Sequence, residues 1–173
     1  MIEQCLPGFD VGEEVEWEPT RAFALERLAR FVPNAGHAYA SRRNIDLGPS
    51  DRSNVSALSP LIRHRLILET EVLAATLDIH SPEEAEKFVQ EVLWRAYFKG
   101  WLQHRPLVWK RYRAERDRWI QTLEDVSSLR TRYEKAVRGQ TGIPCLDAWA
   151  TELIDTGYLH NHTRMWFASL WIF

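Results

Sequence analysis

The chain has 173 residues, 45% of them apolar and 27% charged, an ordinary globular composition with enough apolar material for one substantial core. A formal charge of -2 and a pI near 6.3 exclude the global basic excess that holds a protein to phosphate, so only a local patch is left for nucleic acid. Cys5 and Cys145 lack CxxC spacing and suggest neither a disulfide framework nor a zinc site, which fits a reducing cytoplasm, and the acidic N-terminus lacks the apolar stretch of a signal peptide or membrane span.

Residues 1–18 carry Gly8, Gly12 and several acids without helical period and are expected to form a loosely ordered leader to one helical domain over 19–173. From Thr20 to Val32 the residues Phe23, Leu25, Leu28, Phe31 and Val32 recur at near-helical spacing, stopped by Pro33, Asn34 and Gly36. The stretch 41–58 has no clear period and reads as a long connection, which in a compact domain is functional or disordered. Ser59-Pro60 predicts a capped helix running to Leu77, and Ser81-Pro82-Glu83-Glu84 repeats the start signal. Ala85, Phe88, Val89, Val92, Leu93, Ala96 and Trp101 then mark a buried stripe. Further helices are expected over 105–121, 127–138 and 144–156, ended by Gly139 and Gly157, with Leu146, Trp149, Ala150 and Leu153 as the last apolar face. No strand run or tandem repeat occurs, so the class is all-α.

Met165 to Phe173 is apolar almost throughout, a pattern that on a helix means burial on all sides. A Trp-Ile-Phe ending exposed to water is a large apolar patch, so a C-terminal segment beyond Phe173 or another chain is expected to cover it.

Four stretches carry chemistry. Ser53 to Pro60 is a small-residue loop entering a helix, where free amides and the hydroxyls of Ser56 and Ser59 suit phosphate oxygens, though Ser-Pro is also an ordinary cap. Glu91, Trp94 and Arg95 share a helix face; an acid, a flat aromatic and a planar cation suit a base or a flavin, or else form a surface ion pair beside a core tryptophan. Asn161 and Arg164 share a face of the last helix, and an arginine entering an apolar helix requires an acceptor. His160 and His162, two apart, point away from each other on a helix, against a metal pair. Trp109 to Trp119 interleaves arginines with aromatics as single-strand surfaces do, but Glu115 and Asp117 dilute it, and a solvated helix laced with ion pairs is the favoured reading.

Taken together, these stretches resemble the flavin-binding domain of the photolyase/cryptochrome family, from about Trp17 to the end. Ser56-Ala57-Leu58-Ser59-Pro60 is similar to the family's Thr-Ser-Arg-Leu-Ser-Pro turn, and Gln90-Glu91-Val92-Leu93-Trp94-Arg95 to Asn-Glu-Leu-Ile-Trp-Arg. Gly139-Gln140-Thr141-Gly142-Ile143-Pro144 with Asp147-Ala148 and Glu152-Leu153 resembles Gly-Lys-Thr-Gly-Tyr-Pro with Asp-Ala and Glu-Leu. Thr156-Gly157-Tyr158-Leu159-His160-Asn161, Arg164-Met165 and Ala168-Ser169 resemble Thr-Gly-Trp-Met-His-Asn, Arg-Met and Ala-Ser.

The resemblance implies a helical domain that holds FAD folded back on itself and, by light, passes an electron to a pyrimidine dimer in DNA. It implies FAD contacts from Tyr39, Ser56, Ala57, Leu58, Ser59, Glu91, Arg95, Asn161 and Arg164, the first five on the phosphate side, Asn161 and Arg164 against the flavin. It makes Glu91 and Trp94 the catalytic pair lining the cavity of a flipped dimer. No metal is implied. Val55 and Ala57 replace the family's threonine and arginine, which shifts phosphate binding to backbone amides, Ser56 and Ser59. The family's N-terminal antenna domain has no counterpart here, and the aspartate that pairs with the flavin-side arginine is expected beyond Phe173, so this fragment alone is not expected to be competent. The alternatives are a cryptochrome-like photoreceptor and a helical interaction module that has lost flavin.

Overall fold

The computed structural model describes residues 18–172, and among them every regular element is a helix, as the absence of alternating apolar runs requires. The expected leader lies, apart from Glu18, outside the described residues. Helix α1 (Arg21–Phe31) starts where Thr20, in extended backbone, accepts the Phe23 N–H at 3.1 Å; that hydroxyl satisfies a donor the first turn leaves open. At Pro33 the chain tightens into a 3₁₀ turn, Val32–Asn34. A short helix α2 (His37–Arg42) follows; at six residues it is too brief to show a period in sequence.

The expected helix from Ser59 to Leu77 is two helices, α3 (Ser59–Arg63) and α4 (Glu69–Leu77). Arg65 turns left-handed at φ 60°, and the Arg65 and Leu66 N–H groups donate back to Ile62 and Leu61 carbonyls at 3.1 and 3.0 Å. This closure satisfies α3's last carbonyls locally, and the turn seats Ile67 fully in the core. Ser59 is not the cap either; Leu58 holds that position and Ser59 is the first helical residue. Helix α4 restarts with the Glu71 carboxylate accepting the Leu68 N–H at 2.8 Å. The same carboxylate accepts from Arg21 at 2.5 Å, which ties α4 to the start of α1 and holds the Glu71 carboxyl below its usual range.

Ala24, Leu28, Phe31, Tyr39, Leu58, Leu61, Ile67, Val72 and Phe88 bury together. At their centre Phe31, Tyr39 and Phe88 meet with ring centroids 4.9 to 5.8 Å apart, partly edge to face, the arrangement that aromatic quadrupoles favour. This unit ends at Phe88, and a second compact unit begins at Val89, inside α5 (Glu86–Gln103). The expected start signal forms: Glu84 N–H donates to Ser81 Oγ at 3.3 Å and Ser81 N–H to the Glu84 carboxylate at 3.1 Å, one turn before the helix proper.

In the second unit α6 (Pro106–Asp125), α7 (Ser127–Val137), α8 (Pro144–Thr156) and α9 (Asn161–Ile172) pack each on the next. Proline opens α6 and α8, and Gly157, at φ 65°, closes α8 by donating its N–H to Leu153 O at 3.0 Å. Leu146, Ala150, Tyr158 and Leu159 are buried, whereas α6 and α7 bury no residue. One expectation is corrected. Of the expected stripe, Ala85, just before α5, and Phe88 and Val92 on it are buried, but Leu93 and Ala96 are exposed. Within the described residues helix α9 is exposed: Met165 and Trp166 are 62% and 67% exposed, with α8 and, through a Tyr133–Trp171 edge contact at 5.9 Å, α7 lying against it. Among the described residues no helix is long and apolar enough to cross a membrane.

Candidate functional site

In the first unit the loop from Asp51 to Ser59 is built rather than loose. Asn54 is buried and donates through Nδ2 to Arg42 O at 2.8 Å and Ile45 O at 2.7 Å, pinning the loop to the end of α2, the helix that carries Tyr39. Arg27 of α1 donates from Nε to Ser56 O at 2.9 Å, and Ser56 Oγ accepts the Leu58 N–H at 3.4 Å. Ala57 is left-handed at φ 47° and Leu58 right-handed at φ -80°, ψ -9°. That alternation turns successive backbone N–H groups toward one side, the form of an anion-binding nest. A non-glycine residue held left-handed costs roughly 1–2 kcal/mol, and such strain persists where the surroundings over-determine it, commonly at ligand clamps. Ala57 and Leu58 are buried as whole residues, so the turn is reached from outside through the half-buried Ser56 and Ser59 beside them. With α3 only five residues long, the nest rather than a helix dipole is the electropositive element. Such a turn suits anionic oxygens.

In the second unit, Glu91 and Arg95 are half-buried on α5. Trp94 beside them is 52% exposed and packs on Tyr97 and Phe98, with ring centroids 5.4 and 5.9 Å away. It is therefore not the core tryptophan that one reading of the sequence allows. At the other end of the unit, Arg164 finds its acceptor: the guanidinium donates to Leu159 O at 3.0 Å and lies 5.7 Å from the Tyr158 ring centroid. Asn161, on the same helix start, is exposed. His160 and His162 do not point apart. Their rings lie 5.9 Å from each other, tilted by 33°, because His160 precedes the helix and caps it, accepting the His162 N–H on Nδ1 at 3.3 Å. Among the described residues no three His, Cys, Asp or Glu side chains form a group able to hold a metal.

The turn between α7 and α8 is organised by one carboxylate. Asp147 accepts from the Thr141 N–H at 2.8 Å, the Thr141 hydroxyl at 2.6 Å and the Gly142 N–H at 2.9 Å. The Thr141 hydroxyl, foremost, and these amides hold the Asp147 carboxyl below its usual range. Arg27 and Asn54 are the loop supports that sequence patterning misses. Each acts on a backbone carbonyl far away in the chain, which leaves no local signature.

The sequence model of the FAD binding domain of DNA photolyase matches residues 88–172. The chain is 32% identical over 160 residues to a deoxyribodipyrimidine photo-lyase of Thermus thermophilus, covering 92% of this chain and 34% of that protein. The namesake enzyme of Synechococcus is 31% identical over 94% of the chain and 33% of its own length, and that of Neurospora crassa 29% identical over 88% and 25%. The chain thus spans about a third or less of the length of these curated relatives. No solved structure matches. The cofactor of the matched domain is FAD, and an all-helical chain carrying that domain belongs to the DNA photolyase family.

Proposed function

We propose that this chain is the cofactor-holding part of a FAD-dependent, light-driven lyase that reopens pyrimidine dimers in DNA. The observation that carries the reading is the strained nest at Ala57–Leu58, in a chain matched to the photolyase FAD-binding domain. Bound FAD would supply the light-excited electron donor. Backbone amides of Ala57, Leu58 and Ser59, with Ser56 and Tyr39, hold its phosphate side, and Arg27 and Asn54 keep that turn in shape. Arg164 and Asn161 serve the flavin ring, with Arg95. Arg164, already tied to the Leu159 carbonyl, holds a fixed positive charge there, which favours the reduced, anionic ring. Glu91 and Trp94 are the substrate side: a half-buried carboxylate to hydrogen-bond an extruded base and an exposed indole face on which it stacks. Competence also requires that α9 receive polypeptide cover, from the same protein or another chain, over Met165, Trp166 and Leu170. The free thiol of Cys145 suits a cytoplasmic location.

Flavin absorbance of the purified protein and light-dependent loss of thymine dimers from damaged DNA test this reading. Bound flavin with no loss of dimers would favour a cryptochrome-like photoreceptor, and a colourless protein an interaction module. Glu91→Ala should lower repair by about 10²-fold or more while FAD content stays near that of the parent; equal losses of both would remove Glu91 from the substrate side.

A further inference from the structure

Helix α6 spans 20 residues and buries none of them, yet it is not uniformly polar. Trp109, Tyr112, Arg116, Trp119, Leu123 and, at its C-cap, Val126 recur at alternating spacings of three and four. They therefore lie along one seam, the pattern by which two helices pack knobs into holes. Trp109, Tyr112 and Trp119 on this seam are 60%, 56% and 60% exposed, and Trp109 and Tyr112 are already stacked with ring centroids 5.4 Å apart. We propose that this seam pairs with the same helix of a second copy of the chain, running antiparallel.

Three features select that occupant and direction. Charge is divided along the helix: Lys110, Arg111 and Arg113 precede its first acid, while from residue 115 onward Glu115, Asp117, Glu124 and Asp125 outnumber Arg116 and Arg118. A parallel pair sets like halves together, and an antiparallel pair sets basic against acidic. The lone charged seam residue fixes the register, as a single polar core position does in coiled coils. Side by side in parallel, Arg116 would face the partner's Arg116. Antiparallel, it lies over the partner's Trp119, a cation on an indole face; Tyr112 then meets the partner's Leu123, and Trp109 the partner's Val126. In that register Arg113, flanking the seam, comes alongside the partner's Glu124. The remaining central charges are neutralised within each helix by the Arg116–Asp117 and Arg118–Glu115 ion pairs. The contact is isologous, so it closes as a two-fold dimer and does not propagate.

Sedimentation of the whole 173-residue chain over a roughly hundredfold concentration range should show a reversible monomer–dimer equilibrium, as a single helix pair is a small interface. Arg113→Glu and Glu124→Arg should each weaken dimerisation by about tenfold, because each leaves two like-charge contacts per dimer. The double variant R113E/E124R should recover the parental affinity, as should an equimolar mixture of the two single variants. Both positions of exchange are exposed, so unchanged far-UV circular dichroism separates these effects from misfolding. A chain that stays monomeric throughout overturns the proposal. So does failure of the charge swap to rescue. Binding of a labelled DNA single strand to a monomeric chain, lost on Trp109→Ala and Tyr112→Ala, would also overturn it and assign the seam to nucleic acid.

Discussion

Asn54 shows how one side chain sets a binding loop. Its buried amide satisfies two carbonyls, those of Arg42 and Ile45, which otherwise lose water without gaining a partner. Asn54→Ala should cost about 1–3 kcal/mol, read as a lower urea midpoint with an unchanged m-value, and should weaken FAD retention with it. Asp147 is the counterpart in the second unit. Because its carboxyl titrates below the ordinary aspartate value in the folded chain, the stabilisation is complete above the unfolded-state pKa and is lost as pH falls through the lower folded one. Urea unfolding across that acid range should show the parent losing stability more steeply than Asp147→Asn, which should be less stable at neutral pH and flatter below. Equal slopes would mean that the three donors at Thr141 and Gly142 contribute nothing. Neither residue stands out in sequence, since a capping aspartate or a loop asparagine looks the same whether it holds one partner or three.

At the scale of elements, starts and stops decide the fold. Thr20→Ala should destabilise by about 1 kcal/mol through the lost α1 cap. Glycines 139 and 157 share a φ of 65° but not their surroundings. A Cβ on Gly157 would meet nothing within 4 Å, whereas on Gly139 it would lie 2.9 Å from the Asp147 carbonyl. Gly157→Ala should therefore cost only the backbone term of about 1–2 kcal/mol, and Gly139→Ala distinctly more, measured as the difference in thermal midpoint between the two variants. Helices α6 through α9 follow the apolar period and the Pro and Gly punctuation closely. The break at Arg65 did not announce itself, because no glycine or proline marks it; backbone hydrogen bonds and the burial of Ile67 impose it.

Across the whole molecule, burial is uneven. Ile67, Val72 and Ala24 are fully enclosed, but α6 and α7 bury nothing. Amide hydrogen exchange of the chain at low concentration should be slowest in α1 and α4 and fastest in α6 and α7, since local opening exposes little new apolar surface there. Uniform protection would show that α6 and α7 are covered by something else in solution.

The sequence by itself determined the helical class, most helix boundaries and the family, because periodicity, caps and motif order are properties of neighbours along the chain. Only the tertiary structure decided that Trp94 is a surface aromatic and that Ala57 is left-handed. It likewise decided that Arg164 satisfies itself on a backbone carbonyl and that α9 lies open. Each of those depends on what lies opposite a residue in space, and a carbonyl, a cavity wall or a missing neighbour leaves no mark on the residues beside it in sequence.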